Sequence, residues 1–205
     1  MTAITLEINS VNPQIRFIKR AASVLEQDGI IIYPTDTIYG LGASLFSHAG
    51  LERIRVIKGK NSSHLFSFIC KDLKDISLYA HVSDPAYKWM KKLLPGPYTF
   101  VLPATKLVPR TLQSRQKTVG IRVPDNMICQ ELLKEFGKPI ISTSVSDSSG
   151  ICNNPGEIEI CFNNRVDLIL NGGILMSAPS TVIDFTSDEP VVLRKGAGDI
   201  SFLVG

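Results

Sequence analysis

The 205-residue sequence lacks the segments that would direct it into or across a membrane. No apolar run reaches the roughly 18 residues that a membrane span requires. The N-terminus MTAITLEINS has neither the basic block nor the apolar block of a signal peptide. We therefore expect a cytoplasmic protein with no membrane partner.

Cysteine and histidine are too few and too scattered to indicate a metal site. The four cysteines have no CxxC spacing, and the three histidines form no ligand pattern. We expect the thiols to stay reduced, with Cys70 and Cys129 as small buried side chains of apolar segments. The motif GxxxxGK[ST] is also missing, which excludes a P-loop nucleotide site.

The sequence has almost no excess of charge of either sign. Lys plus Arg number 22 and Asp plus Glu 19, which gives a net charge of +3. That excess is too small to identify an anionic partner. The hydrophobic content of 44% and the charged content of 20% are ordinary for a globular protein, and we expect one domain over residues 1–205. Function must therefore be inferred from local motifs.

Helical and extended patterns alternate along the chain. Asn12 and Pro13 predict the start of a first helix that ends at Gly29, and Ser47, Asp72 and Ser83 predict three more helix starts. Further helices are predicted at 125–137 and 155–163. Strands are predicted at 30–33, 66–70, 98–104, 118–123, 139–143, 166–170, 180–185 and 191–194. This pattern indicates an α/β protein built on one central mixed sheet, since the last strands are too close for helical crossovers.

The segment YPTDTIYGLGAS, residues 33–44, follows a buried apolar strand with an unusual density of hydroxyl groups. We interpret it as a loop at a strand exit, where open α/β proteins bind ligands. Its two glycines let the backbone approach a ligand closely, and Thr35, Thr37 and Tyr39 supply neutral donors and acceptors. The alternative is a turn whose side chains satisfy their own backbone.

Two further segments combine positive charge or hydroxyl groups with a chain reversal. Lys58-Gly59-Lys60 ends a predicted helix and leads into a serine-rich loop, where the lysines could contact phosphate oxygens or could simply be solvated. The strand at 139–143 runs into a hydroxyl-dense stretch that includes Ser144 and Ser146. That stretch predicts a binding site for an anion or a nucleotide, or alternatively a flexible surface loop.

Arginines stand among the strand residues at two positions, Arg122 and Arg194. A guanidinium on the apolar side of a strand would need a partner or a ligand. On the solvent side it would need neither, and the pattern alone leaves both possibilities open.

Taken in order, these segments resemble the motif series of the YrdC/YciO family, which includes the threonylcarbamoyl-adenylate synthases. The resemblance runs from about residue 15 to residue 200 and is carried by YPTDTIYGLGAS, the lysine-bearing helix end, PGPYTFVLPA, VGIRVP, ISTSVSDSSG, PSTVID and VLRKG. The stretches FSFICKDLKDISLYA and STSV are closer to the YciO branch.

The resemblance implies a twisted, open mixed β-sheet with flanking helices and a basic concave cavity. It implies an enzyme that combines L-threonine, bicarbonate and ATP into threonylcarbamoyl-AMP and pyrophosphate, for t6A modification of tRNA. Mg²⁺ would arrive with ATP, since the sequence shows no dedicated carboxylate cage. The alternatives are a module that binds tRNA or double-stranded RNA, and an ATP-dependent enzyme for another amino-acid-like substrate.

Family synthases carry a Lys, Arg, Ser, Asn tetrad in the patterns KxR and SxN. The corresponding catalytic positions here are Lys58, Lys60, Ser144 and Ser146, so the lysine and the serine match and the other two differ. The resemblance also implies substrate-binding roles. Thr35, Thr37 and Tyr39 would line the threonine end, Arg194 would address phosphate or carboxylate oxygens, and Arg122 and Ser180 would complete the cavity.

Overall fold

Most strands form where branched and aromatic residues cluster, and five of the six described α-helices begin at a polar residue whose side chain caps the first turn. The computed structural model describes residues 2–59, 66–148 and 150–201. Lys60 therefore lies outside the described residues. The helices are α1 Ile15–Glu26, α2 His48–Lys58, α3 Leu73–Tyr79, α4 Asp84–Leu93, α5 Met127–Phe136 and α6 Pro155–Phe162, with a 3₁₀ turn at Arg110–Leu112.

The strands cover most of the predicted segments and add some that were not predicted. They are β1 Ile4–Glu7, β2 Ile31–Tyr33, β3 Gly40–Ser44, β4 Ser67–Ile69, β5 Tyr98–Pro103, β6 Thr118–Arg122, β7 Ile140–Ser144, β8 Ser146–Asp147, β9 Gly150–Ile151, β10 Leu168–Asn171, β11 Thr181–Asp184 and β12 Val191–Arg194. Strands β8 and β9 form a separate hairpin.

The remaining strands of the described chain form one mixed sheet in the order β1-β10-β2-β3-β7-β4-β6-β5-β11-β12. Four neighbouring pairs are parallel, namely β1 with β10, β10 with β2, β4 with β6, and β5 with β11. The other neighbours are antiparallel. The expectation of a mixed sheet is thus confirmed.

Helices cover the two faces of the sheet unequally. On one face α1 and α5 pack against strand residues such as Ile31 and Leu168. On the other face side chains such as Ile54, Phe68 and Phe100 form a larger core with the remaining helices. Cys70 and Cys129 are buried as expected, and all four cysteines are unpaired. No helix in the described part of the chain is long and apolar enough to span a bilayer.

Most predicted helix starts are confirmed by their capping bonds. The side chains of Ser47, Asp72 and Ser83 accept hydrogen bonds from backbone N–H groups in the first turns of α2, α3 and α4. The start of α1 was predicted wrongly. Asn12 does not cap it, because the Asn9 side chain holds a turn over residues 9–12 and the helix begins only at Ile15.

The segment YPTDTIYGLGAS is only partly a loop, which corrects the sequence-based interpretation. Its last five residues form β3, which pairs with β2 and with β7 inside the sheet. The ring of Tyr33, not a ligand, fills the space beside both glycines. A Cβ atom on Gly42 would lie 2.7 Å from Tyr33 Cε1, and one on Gly40 would lie 2.9 Å from Tyr33 Cζ.

Candidate functional site

A cavity of about 400 Å³ opens on the sheet face that α1 and α5 cover only in part. Side chains alternate along a strand, so residues two apart share a face. In β4 to β7 the large residues such as Phe68 and Phe100 point to the opposite core. The intervening positions line the cavity and include Ser67, Ile69, Thr99, Val101, Gly120, Arg122 and Ser142.

The cavity brings together most of the residues that the sequence analysis selected. Its lining includes Thr35, Thr37, Tyr39, Arg122, Ser144, Ser180 and Arg194. Lys58 and Ser146 lie beside Ser144, to which Lys58 is hydrogen-bonded. Among the described residues that line the cavity there is no Asp, Glu, His or Cys, so its charged lining groups are both cationic.

The two threonines of the 34–39 loop form a hydrogen-bonded chain with a fixed direction. Thr35 Oγ1 donates to the carbonyl oxygen of Ile38 at 2.7 Å and accepts from the Thr37 N–H at 3.0 Å. Its proton is thereby used, so in the 3.1 Å contact between the two hydroxyls Thr37 is the donor. Thr35 has no capacity left for a ligand, whereas Thr37 keeps one acceptor lone pair.

Arg122 is the buried cation of the cavity wall. Its Nη1 donates to Thr37 Oγ1 at 2.8 Å, and its Nη2 forms an ion pair with the carboxylate of Asp36. The side chains of Arg122 and Asp36 are only 9% and 11% exposed. Burial raises the pKa of Asp36, and the neighbouring Arg122 charge opposes that shift. The sequence analysis did not select Asp36, although its position between two threonines of the loop was a signal.

The hydroxyl of Tyr39 links the loop to the segment that follows β10. It donates to the carbonyl oxygen of Gly173 at 2.7 Å and accepts from the N–H of Gly172 at 3.0 Å. Burial raises the pKa of Tyr39 to about 12. The hydroxyl is therefore neutral and already paired, and it fixes the segment after β10 beside the loop.

Lys58, the last residue of α2, connects that helix to the strand end at Ser144. Its Nζ donates to the Ser144 carbonyl oxygen at 3.0 Å and to Ser146 Oγ. Burial lowers the pKa of Lys58. An ammonium group has three N–H donors, and the described residues use two of them, which leaves one for an anionic ligand.

Arg194 and Ser180 form the opposite wall. Arg194 Nε and Nη2 donate to the Ser180 carbonyl oxygen at 3.2 and 2.8 Å. The Ser180 hydroxyl lies 2.8 Å from Thr99 Oγ1. Burial lowers the pKa of Arg194, and the charge of Arg122 adds to the shift. The two guanidinium groups are thus close enough to repel each other, and an anion between them would relieve that repulsion.

The floor of the cavity carries hydroxyl groups that the sequence analysis missed. Tyr33 donates from its hydroxyl to Ser142 Oγ at 2.9 Å, and Ser67 Oγ donates to the Ser142 carbonyl oxygen at 3.0 Å. The available signal was the placement of small polar residues at every second position of otherwise apolar strands. Both of these hydroxyl protons are used within the protein, so the O–H of Ser142 is the donor that these bonds leave for a ligand. A neutral donor beside two guanidinium groups favours carboxylate or phosphate ligands.

A family model named Sua5/YciO/YrdC and described as telomere recombination matches residues 23–196. The chain belongs to this family. It is 43% identical to the uncharacterized protein YciO of Escherichia coli K12 over 196 residues, which are 94% of this chain and 95% of that protein. It is 27% identical over 184 residues to the threonylcarbamoyl-AMP synthase of Vibrio vulnificus, or 87% of this chain and 98% of the synthase.

Solved structures of Sua5/YciO/YrdC proteins share the architecture. The crystal structure of E. coli YciO superimposes with a TM-score of 0.93 at 41% identity and covers 97% of this chain and 98% of that one. Pyrococcus abyssi Sua5 complexed with L-threonine gives a TM-score of 0.88 at 27% identity, over 95% of this chain and 58% of Sua5. The predicted family, the nearness to YciO and the mixed α/β fold are confirmed.

Proposed function

We propose that the protein acts as a threonylcarbamoyl-AMP synthase, joining L-threonine, bicarbonate and ATP for t6A modification of tRNA. The observation that carries this proposal is the junction of Lys58 with Ser144 and Ser146 at the edge of a cavity with two guanidinium groups. This junction offers a cationic donor beside a site with room for a small ligand. The similarity to named synthases and to the threonine complex of Sua5 supports the choice of substrates.

The reaction requires no covalent intermediate with the protein. Threonine and bicarbonate form a carbamate and release water, as the C–N bond forms and a C–O bond of bicarbonate breaks. One carbamate oxygen then bonds to the α-phosphorus of ATP while the bond from that phosphorus to the oxygen bridging to the β-phosphate breaks. Pyrophosphate leaves. The protein therefore has to orient the reactants and stabilise negative charge.

The described residues divide these tasks between two ends of the cavity. The free N–H of Lys58 would receive phosphate oxygens, and the guanidinium of Arg194, on the opposite wall, would receive phosphate or carboxylate oxygens. The free acceptor of Thr37 and the guanidinium of Arg122 would receive the amino and carboxylate groups of the amino acid. Mg²⁺ would come bound to ATP phosphates, because no described lining residue is a carboxylate.

The test is pyrophosphate release from ATP, measured with bicarbonate and each amino acid in turn. We expect release that depends on L-threonine and falls in Lys58→Ala. Release with a different amino acid would keep the enzyme class and change the substrate. No release with any amino acid, together with RNA binding that weakens steeply with salt, would replace the proposal by an RNA-binding role.

A further inference from the structure

We infer that Asp36 is a positioning residue, which fixes the guanidinium of Arg122 in the orientation that receives the substrate carboxylate. The inference rests on the proposed function for the identity of that substrate. Asp36 itself is not among the residues that line the cavity, so it would act through Arg122.

The contacts of Arg122 show how much depends on Asp36. Its Nη1 donates to Thr37 and its Nη2 to Asp36, whereas its buried Nε has no hydrogen-bond partner among the described residues. Two Nη contacts therefore hold the whole group. Without the Asp36 carboxylate, one neutral hydroxyl would remain to hold a buried positive charge, and the guanidinium would be free to rotate about its last side-chain bonds.

The ion pair joins two elements of the cavity wall, so its loss would change the geometry of the site. Arg122 ends β6 at the cavity wall, and Asp36 belongs to the loop between β2 and β3. The ion pair therefore joins the loop that carries Thr37 to the strand that carries the cation. A shift of Arg122 would remove the donor to Thr37 as well and disturb the amino-acid end of the cavity. The phosphate end at Lys58 is held by separate bonds to Ser144 and Ser146.

A second ion pair of similar chemistry provides a matched control. Arg53 donates through both Nη atoms to the carboxylate of Asp167, with distances of 2.8 and 3.1 Å, and neither residue lines the cavity. Asp167→Asn removes a charged partner of arginine, as Asp36→Asn does, but away from the site. Asp36→Glu restores the charge with one more methylene.

The experiment compares wild type, Asp36→Asn, Asp36→Glu and Asp167→Asn. Binding of L-threonine and of ATP is measured by calorimetry, and the Arg122 Nε–H signal by NMR. For Asp36→Asn we expect a loss of about tenfold or more in threonine affinity, ATP affinity within about twofold, and a weakened Arg122 signal. Asp36→Glu should recover part of the affinity, and Asp167→Asn should bind both ligands like wild type.

The outcomes separate this inference from the proposed function. If wild type does not bind L-threonine, the proposed function fails, and the Arg122 signal alone decides the positioning role. An Arg122 signal unchanged in Asp36→Asn would overturn that role, as would parallel losses for both ligands.

If Asp36→Asn does not fold, acid titration of wild type replaces it. Protonation of Asp36 should then loosen Arg122, and invariance of the signal while Asp36 titrates would contradict the inference. The other titratable groups around the pair are Asp125, Cys129, Tyr33 and Arg194. The carboxyl resonances of Asp36 and Asp125 are therefore followed separately.

Discussion

Lys58 Nζ donates a hydrogen bond to the backbone carbonyl oxygen of Ser144 at 3.0 Å. This bond joins the C-terminal end of α2 to the end of β7, although the two residues are 86 positions apart in the chain. The ammonium group is thereby held at the cavity edge with one donor left over.

Replacing Lys58 by alanine should weaken ATP binding. A charge-assisted hydrogen bond contributes about 1.5–3 kcal/mol, so we expect roughly a tenfold to hundredfold loss of affinity by calorimetry. Lys88→Ala is the control, because Lys88 is an exposed residue of α4 that does not line the cavity. Equal ATP affinity in a folded Lys58→Ala protein would remove Lys58 from the site.

ATP affinity should also depend on pH through Lys58. Burial lowers the pKa of this lysine, an effect that Cys152 opposes. A lysine is charged below its pKa, so affinity should be highest below the lowered pKa and decline as the pH rises through it. The decline should begin at a lower pH than for an ordinary lysine. Calorimetric titration across the alkaline range tests this, and Lys58→Ala should lack that component of the profile.

Thr35→Val should destabilise the protein and affect the ligand only indirectly. The sequence alone suggested a hydroxyl that binds the amino acid, but Thr35 Oγ1 makes all of its hydrogen bonds within the loop. Leaving buried partners unpaired costs about 1–3 kcal/mol in the free energy of unfolding. Denaturant unfolding measures that cost, with Thr186→Val as the exposed control. Unchanged stability with a selective loss of threonine affinity would restore direct binding by Thr35.

The two departures from the family tetrad lead to a prediction of gained activity. Lys60→Arg combined with Ser146→Asn should raise threonine-dependent pyrophosphate release by roughly tenfold, equivalent to about 1.4 kcal/mol of transition-state stabilisation. Ser146 Oγ accepts from Lys58, and an asparagine would add an N–H donor to that acceptor role. Labelled pyrophosphate is measured for wild type, both single variants and the double variant. An inactive double variant that still binds ATP would indicate a different substrate.

Gly42→Ala should lower the free energy of unfolding by about 1–3 kcal/mol, the usual cost of overpacking a core. The added Cβ would lie 2.7 Å from Tyr33 Cε1 and 2.8 Å from Ile140 Cγ2. Gly156→Ala in α6 is the control, because its nearest contact would be at 3.4 Å. Thermal unfolding of both variants tests the claim, which fails if they unfold at the same temperature.

The sequence reveals the elements whose signals are local. Ser47, Asp72 and Ser83 cap helices where their residue types predict. Strand β3 was missed because GLGAS contains one large apolar residue, and it is held in place by its two neighbouring strands.

In the candidate site, too, some residues have a local sequence signal and others do not. Hydroxyl-rich strand ends pointed to Thr37 and Ser144, which line the cavity. The pairing of Asp36 with Arg122 joins residues that are 86 positions apart, and no local pattern encodes it. The catalytic role of Lys60 stays a prediction, since this residue lies outside the described residues.

Strand β10 lies between the two earliest strands of the chain, with Leu168 opposite Ile4 on one side and Ile31 on the other. During synthesis, residues 4–33 therefore emerge from the ribosome long before their partner exists. Among the described strands, a nascent chain that ends before residue 168 leaves β1 without a neighbour and β2 with β3 alone. Such non-local pairing slows folding and exposes strand edges to other chains. Ribosome-bound fragments should accordingly become resistant to protease only after β10 has left the exit tunnel.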